Sequence, residues 1–170
     1  NPADRCYYCK RTIMSKIIAA AAADGYTVLL DGSNASDDSG DRPGMRAAGE
    51  LHILSPLREC GLTKGEIRRL SKEAGLFTWS KPAYACLATR VKTGEVLTDE
   101  RLEKIERSED YLFSRGYTDF RVRTSGGSAL LQFTADQLSD AQEHRDELFA
   151  ALSKYFDEIR IDTEARKKSL

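Results

Sequence analysis

One stretch, residues 119–133, determines the fold of the second half of the chain: Asp119-Phe-Arg-Val-Arg-Thr-Ser-Gly-Gly-Ser-Ala-Leu-Leu-Gln-Phe133. Two short apolar-rich runs, 119–123 and 129–133, flank the pair Gly126-Gly127. This pattern predicts two strands joined by a tight hairpin turn. A phosphate-binding loop is the alternative, but it requires a helix after the glycines, and a strand is predicted there.

Helical patterns lie on both sides of this hairpin. The acidic start of 99–115 and the glycine that follows it, Gly116, predict a helix with a glycine at its C-terminal end. Downstream, 137–156 is predicted to be one long amphipathic helix, and 158–162 a last strand. Helix, hairpin, helix and strand together predict a small α+β domain.

The first half of the chain has a different pattern. Apolar spacing predicts a helix over 10–24 that Gly25 ends, followed by a buried strand over 26–30. A loop rich in Ser, Asn, Asp and Gly then occupies 32–44, and a capping-box spacing predicts another helix from Lys64. A strand after a helix predicts the α/β class, in which loops that follow strands bind ligands.

A break in regular structure separates the two halves. Pro82 and the small residues after it interrupt the helical pattern, and Thr98 is placed to cap the next helix. We therefore expect a boundary between Thr89 and Leu97, with domains over 1–92 and 93–170.

Composition limits the possible functions. Lys and Arg total 26 against 27 Asp and Glu, and a pI of about 6.2 gives no overall positive charge for a nucleic acid partner. We find no apolar run that could cross a bilayer and no signal peptide, and we predict a cytoplasmic protein. Four cysteines are too few and too unevenly spaced for a disulfide framework, so metal or redox chemistry is favoured.

The segment Cys6-Tyr-Tyr-Cys9 is the first candidate for that chemistry. Two thiols three positions apart near a helix start can face one metal, and Arg5 and Lys10 favour their thiolate forms. Two free or structural cysteines, and a structural zinc site, are the alternatives.

Cys86 is the second candidate, because it lies in an irregular segment between the cationic Lys81 and Arg90. That setting suits an activated thiolate, whereas a buried and unreactive cysteine is the alternative. For Cys60 we predict a packing role.

A third candidate combines a helix and a strand. Glu109 interrupts the apolar stripe of the predicted 99–115 helix, and a buried carboxylate needs a partner. Strand alternation places Arg121 and Arg123 on one face, which suits a phosphate or carboxylate ligand. A structural pair between Glu109 and either arginine is equally compatible with the spacing.

Taken together, these motifs resemble the sacrificial sulfur transferase LarE family of ATP pyrophosphatases over nearly the whole chain. The residues that carry the resemblance are Asn1-Pro2, Arg5-Cys6 with Cys9-Lys10, Asp31-Gly32-Ser33-Asn34, Asp37-Asp38, Arg42-Pro43-Gly44, Ser55-Pro56-Leu57, Gly61-Leu62, Trp79, Lys81-Pro82, Cys86-Leu87-Ala88-Thr89-Arg90 and Phe120-Arg121-Val122-Arg123.

The resemblance implies a Rossmann-like nucleotide domain followed by a small substrate domain. It implies that ATP and Mg²⁺ serve to adenylate a carboxylate of a pyridinium mononucleotide, which then receives sulfur as a thiocarboxylate during synthesis of the nickel-pincer nucleotide cofactor. The implied nucleotide-binding residues are Asp31, Gly32, Asn34, Asp38, Arg42 and Gly44.

The resemblance also implies roles for the cysteines. Cys6, Cys9 and Cys86 match a branch in which three cysteines hold a [4Fe-4S] cluster that carries an extra sulfide. Cys86 also matches the cysteine that, in another branch, gives up its own sulfur and becomes dehydroalanine. The first route is our preferred hypothesis.

The resemblance implies that Arg90 contacts the substrate, and that Glu109, Arg121 and Arg123 form a substrate-binding or metal-binding region in the smaller domain. The implied partners are the small mononucleotide, other enzymes of the nickel-pincer pathway and further copies of the chain. No membrane is implied, and a nucleic acid partner is not expected.

Two departures from the family stand out. Its pyrophosphate-binding loop lies upstream of the CxxC segment, so we expect these 170 residues not to catalyse adenylation alone. The segment 162–170 lacks the family's usual ending, which weakens a phosphate site there. A tRNA-thiolating ATP pyrophosphatase and a non-catalytic metal-binding module are the competing hypotheses.

Overall fold

The computed structural model describes residues 1–37 and 43–168. It forms two compact units, one over Pro2–Lys81 and one over Pro82–Leu170 together with Asn1, which we call the N-terminal and C-terminal units. Helices and a three-stranded sheet are both present, in agreement with a mixed α/β chain. No helix in the described residues is long and apolar enough to cross a membrane.

The N-terminal unit contains helices α1 (Arg5–Ala23), α2 (Pro43–Glu50), α3 (Pro56–Glu59) and α4 (Lys64–Glu73). Helix α1 begins about five residues before its predicted start, and Gly25 follows it with φ of 85°. At the start of α4, Thr63 and Glu66 form the predicted capping box. Both helix predictions are therefore confirmed, with an earlier start for the first.

The prediction of a buried strand over 26–30 is wrong. Tyr26, Val28 and Leu30 are 69, 61 and 58% exposed, and Leu30 makes one isolated parallel bridge with Leu54. A strand requires a neighbour that accepts its backbone hydrogen bonds along its length. The described part of the N-terminal unit offers this segment no such neighbour, so the apolar run forms no strand and stays exposed.

The C-terminal unit contains α5 (Asp99–Ser114), β1 (Arg121–Ser125), β2 (Ser128–Gln132), α6 (Ala135–Glu143), α7 (Arg145–Leu152) and β3 (Glu158–Ile161). The sheet order is β1-β2-β3, with β1 antiparallel and β3 parallel to β2. Gly126 turns the chain between β1 and β2 with φ of 58°, which confirms the hairpin. The helix that Gly116 ends and the last strand are also confirmed.

The single long helix predicted over 137–156 is two helices instead, broken at His144. At 100° per residue, an unbroken helix would turn Leu148 about 80° away from the face that carries Leu138. The break lets Leu138 in α6 and Leu148 in α7 both reach the core, where Leu148 is fully buried and the partly buried Leu138 packs against it. The packing of two short helices on the sheet therefore determines the structure here, rather than the continuous amphipathic pattern of 137–156.

The core of the C-terminal unit lies between the helices and one face of the sheet, and it includes Leu112, Val122, Leu131 and Leu152, all fully buried. Residues ahead of α5 also join this unit: Val91 bridges to Thr124 on β1. The division between the units consequently falls at Pro82, N-terminal to the interval between Thr89 and Leu97 in which we expected it.

Candidate functional site

The two cysteines of the CxxC segment are the second and fifth residues of α1, and both are exposed. Residues three apart on a helix are neighbours on its surface. A guanidinium nitrogen of Arg5 lies 3.7 Å from the sulfur of Cys6. Between the cysteines, Tyr7 is buried and donates to Glu50 at 2.6 Å. The turn is anchored through Tyr7 while Cys6 and Cys9 face outward.

Asp31 organises the loop that was predicted to contact the nucleotide. Its carboxylate accepts hydrogen bonds from the Ser55 hydroxyl at 2.7 Å, from the backbone and hydroxyl of Ser33, and from Lys10 at 3.2 Å. Burial alone would raise the pKa of Asp31, but these bonds outweigh burial and lower it from 3.8 to about 2. The side chain is therefore a fixed anion that joins the loop to α1.

The other predicted nucleotide-binding residues differ from one another in their surroundings. Gly32 has open space where a Cβ atom would lie, and Asn34 bonds within its own turn. Gly44 packs so closely that a Cβ atom would be 3.3 Å from a side-chain carbon of α1. Asp38 and Arg42 lie outside the described residues.

Cys86 is exposed at the start of a 3₁₀ turn over Leu87–Arg90, so the buried and unreactive alternative is wrong. The backbone and hydroxyl of Thr89 both donate to the Cys86 carbonyl, at 2.9 and 2.7 Å. The packing role predicted for Cys60 is also wrong. This residue is exposed because it ends the one-turn helix α3, none of whose residues is buried.

Glu109 has no exposed surface and pairs with Arg90, which is 1% exposed. Two nitrogens of Arg90 donate to the two carboxylate oxygens at 2.6 and 3.1 Å. The hydroxyl of Tyr84 donates at 2.7 Å, and the backbone N–H of Val122 at 3.0 Å. Burial and the bond to Glu109 raise the pKa of Tyr84. The anomalous carboxylate on the helix therefore has a structural partner.

The two arginines of β1 differ from one another. Arg121 is 7% exposed and donates to the backbone carbonyls of Phe120 at 2.6 Å and Ala83 at 2.7 Å. Arg123 is exposed and donates to neutral acceptors, the Gln132 side chain and a backbone carbonyl. Neither is the ion-pair partner of Glu109, so the pairing that the spacing left open exists with a different arginine, Arg90.

A cavity of about 540 Å³ opens on the sheet face that carries Arg123. Its lining includes Thr89, Arg90, Lys92 and Thr93 before α5, Arg123 to Ser125 on β1, Ser128 to Leu130 on β2, and Glu158 and Arg160 on β3. We call it the basic cavity.

The basic cavity holds more positive than negative charge. Arg90 pairs with Glu109, and Arg160 with Glu158 at 2.5 Å. Within the described residues, neither Lys92 nor Arg123 has a carboxylate at ion-pair distance. Although the Arg123 side chain is exposed, desolvation of its guanidinium by neighbouring protein atoms, followed by the charges of Arg90 and Arg166, lowers its pKa. An anion in the cavity would relieve this repulsion.

The sequence patterns missed three residues of this region. Tyr84 lies in a segment without periodicity, and Lys92 precedes the helix pattern. Arg160 lies near Arg123 because of the register of the sheet, in which Leu130 pairs with Arg123 on one side and with Arg160 on the other. Only the parallel pairing of β3 with β2, which no local pattern reveals, could have indicated that Arg160 shares the cavity with Arg123.

The three cysteines proposed as cluster ligands belong to different units: Cys6 and Cys9 to the N-terminal unit, and Cys86 to the C-terminal unit. Within the described residues, neither unit by itself groups three or more His, Cys, Asp or Glu side chains around a possible metal position.

No protein-family model matches the chain. A pyridinium-3,5-bisthiocarboxylic acid mononucleotide synthase of Lactiplantibacillus plantarum is 31% identical over 140 residues, 82% of this chain and 51% of that protein. This match supports the resemblance to the LarE family. An uncharacterised Synechocystis protein is 39% identical over 138 residues, 81% of this chain and 52% of that protein.

An uncharacterised protein of Methanocaldococcus jannaschii is 30% identical over 165 residues, which cover 96% of this chain and 64% of that protein. The chain therefore spans about half to two thirds of the length of these relatives. Over most of its own length it is LarE-like in sequence.

Proposed function

We propose that the full-length protein is an ATP-dependent sulfur transferase that converts a carboxylate of a pyridinium mononucleotide into a thiocarboxylate, in the synthesis of the nickel-pincer nucleotide cofactor. The observation that carries the proposal is the position of Cys86. It begins the 3₁₀ turn whose residues Thr89 and Arg90 line the basic cavity. The similarity to a bisthiocarboxylic acid mononucleotide synthase supports the choice of reaction.

The basic cavity suits the substrate class. A mononucleotide with carboxylates on its ring presents several negative charges, and Lys92 and Arg123 have no protein carboxylate among the described residues to neutralise them. Guanidinium groups bind phosphate and carboxylate oxygens through paired, charge-assisted hydrogen bonds. We assign Arg123, with Lys92 and Arg160, to the anionic groups of the substrate.

Activation by ATP is the proposed first step. An oxygen of the substrate carboxylate attacks the α-phosphorus of ATP, pyrophosphate leaves, and an acyl-adenylate forms. The loop that Asp31 organises, with Gly32, Asn34, Asp38, Arg42 and Gly44, is our proposed site for ATP and Mg²⁺. A carboxylate held ionised by its hydrogen bonds is a suitable anchor for such a loop, and oxygen ligands suit Mg²⁺.

Sulfur transfer is the proposed second step, and it has two routes. In the first route Cys86 itself donates the sulfur. The Cys86 thiolate adds to the carbonyl carbon of the acyl-adenylate, AMP leaves, and a thioester joins the substrate to Cys86. Loss of the Cα proton to a base then breaks the bond between Cβ and sulfur. The products are the thiocarboxylate and a dehydroalanine at position 86, and no oxidant is consumed.

A [4Fe-4S] cluster is the sulfur carrier of the second route, which is our preferred hypothesis, and we assign Cys6, Cys9 and Cys86 as its ligands. The donors fit such a group, because all three are free, exposed thiols and two of them are neighbours on one helical turn. When bound, the cluster would supply sulfide, so that Cys86 would be retained as a ligand rather than consumed.

The test uses the full-length protein, prepared without oxygen and incubated with ATP and a carboxylated pyridinium mononucleotide. Our proposal expects AMP, pyrophosphate and a thiocarboxylate product, each identified by mass spectrometry. If the folded protein formed none of these three products, the proposal would be wrong. Formation of AMP with a tRNA substrate instead would favour the tRNA-thiolating hypothesis.

A further inference from the structure

The segment that leads to Cys86 has no regular secondary structure, yet side chains bind its carbonyl groups one after another. Arg121 donates to the Ala83 carbonyl at 2.7 Å, and Arg90 donates to that of Ala85 at 3.3 Å. No backbone–backbone hydrogen bond joins 82–85 to any other described residue. The conformation of this segment therefore depends on side chains from the 3₁₀ turn and from β1.

The two arginines that bind the segment are themselves fixed. Arg90 is buried and is held by both oxygens of Glu109. Arg121 is nearly buried, and a second bond to the Phe120 carbonyl at 2.6 Å fixes its guanidinium against β1. A buried guanidinium with several partners loses little additional entropy when it binds one more carbonyl. Both therefore suit a positioning role.

Glu109 connects the parts of this network. Its two oxygens accept four hydrogen bonds, which come from Arg90 twice, from Tyr84 and from Val122. Because Tyr84 belongs to the Cys86 segment, the carboxylate holds that segment directly as well as through Arg90. A carboxylate offers about four acceptor positions, so all those of Glu109 are in use within the protein.

We propose that Glu109, Arg90 and Arg121 are positioning residues, which hold the Cys86 segment in place, and that Arg123 alone of the two strand arginines contacts the ligand. The inference rests on the proposed role of Cys86 in sulfur transfer. The resemblance implies one substrate-binding set for these four residues. We divide that set in two: Glu109, Arg90 and Arg121 are buried and hold the protein segment, whereas Arg123 is exposed and contacts the ligand.

Arg121→Met and Arg123→Met form a matched pair for the test, since they make the same change two residues apart on one strand. In the full-length protein, we would measure chymotrypsin cleavage after Tyr84 under native conditions. Loss of a charge-assisted bond to Ala83 is expected to increase opening of the segment roughly tenfold or more in Arg121→Met. Arg123→Met is expected to cleave at nearly the wild-type rate.

Single-turnover sulfur transfer, followed at a series of substrate concentrations, supplies the second measurement. We expect Arg121→Met to lower the rate constant at saturating substrate with little change in the half-saturating concentration, because the sulfur is misplaced. Arg123→Met should raise the half-saturating concentration roughly tenfold, because an anion contact is lost. Glu109→Gln, which keeps the side-chain shape, should behave as Arg121→Met does. If Glu109→Gln does not fold, Tyr84→Phe removes one hydroxyl from the same network and should also accelerate cleavage.

Equal cleavage rates in wild-type, Arg121→Met and Tyr84→Phe proteins would overturn the positioning role. So would the same increase of the half-saturating substrate concentration in Arg121→Met and Arg123→Met with the saturating rate constant unchanged. The cleavage assay needs no turnover, so absence of sulfur transfer would count against the proposed function and leave the positioning inference to be decided by proteolysis.

Discussion

Replacement of Glu109 by alanine probes the most deeply buried charge network in the C-terminal unit. The change leaves Arg90, 1% exposed, without its carboxylate, and removes the acceptors of Tyr84 and of the Val122 N–H. Loss of one partner of a buried ion pair typically costs about 3–5 kcal/mol. Since every 1.4 kcal/mol is a factor of ten, opening of the unit should become roughly a hundredfold or more frequent.

Hydrogen exchange of the β1 and β2 amides, followed by mass spectrometry, measures this opening directly. Glu147→Ala is the control, because Glu147 forms an ion pair of 2.8 Å with Arg115 in the same unit but is exposed. Exposed pairs contribute about 0.2–1 kcal/mol, so the control should exchange within roughly fivefold of wild type. If Glu109→Ala did the same, the network would not stabilise the unit, and our account of Glu109 would be refuted.

Three further predictions address other parts of the chain. In anaerobically prepared full-length protein, Cys86→Ala is expected to lower iron and sulfide content strongly, whereas Cys60→Ala is not; the opposite result would mean that the wrong thiol was chosen. The lowered pKa of Asp31 contributes stability that is fully present above about pH 4 and is lost as the pH falls towards about 2. Acid unfolding followed by Trp79 fluorescence should therefore show a loss of about 2 kcal/mol that Asp31→Asn abolishes. Thr124 is 4% exposed, and its hydroxyl has no hydrogen-bond partner among the residues that the structure describes. Thr124→Val should therefore raise the thermal midpoint by an amount equivalent to about 1 kcal/mol or more; a lower midpoint would indicate an unrecognised partner.

Features set by neighbours in sequence could be predicted well. Gly116 ends α5, Thr63 caps α4, and Gly126 turns the hairpin, because each acts on backbone groups within a few residues. The anomaly at Glu109 was also visible, since helical periodicity alone exposes a carboxylate on an apolar stripe.

What sequence could not supply was pairing between distant segments. Arg90 and Glu109 are nineteen residues apart and meet only because α5 packs beside the 3₁₀ turn. Strand alternation predicted the same environment for Arg121 and Arg123. The two environments differ because Arg121 lies at the start of β1, where the 82–86 segment covers it. The apolar run of 26–30 failed as a predicted strand for the same reason, because a strand is defined by its neighbour rather than by its own composition.

The most direct measurement of the central claim is a single turnover of the full-length protein on ATP and the carboxylated pyridinium mononucleotide, with the amount of thiocarboxylate quantified by mass spectrometry in wild-type and Cys86→Ala proteins. Arg145→Met, which changes an exposed cation on α7, is the control and should form wild-type amounts of product. Our account expects AMP to form in the Cys86→Ala protein while the thiocarboxylate is absent. Wild-type amounts of thiocarboxylate from the Cys86→Ala protein would contradict it.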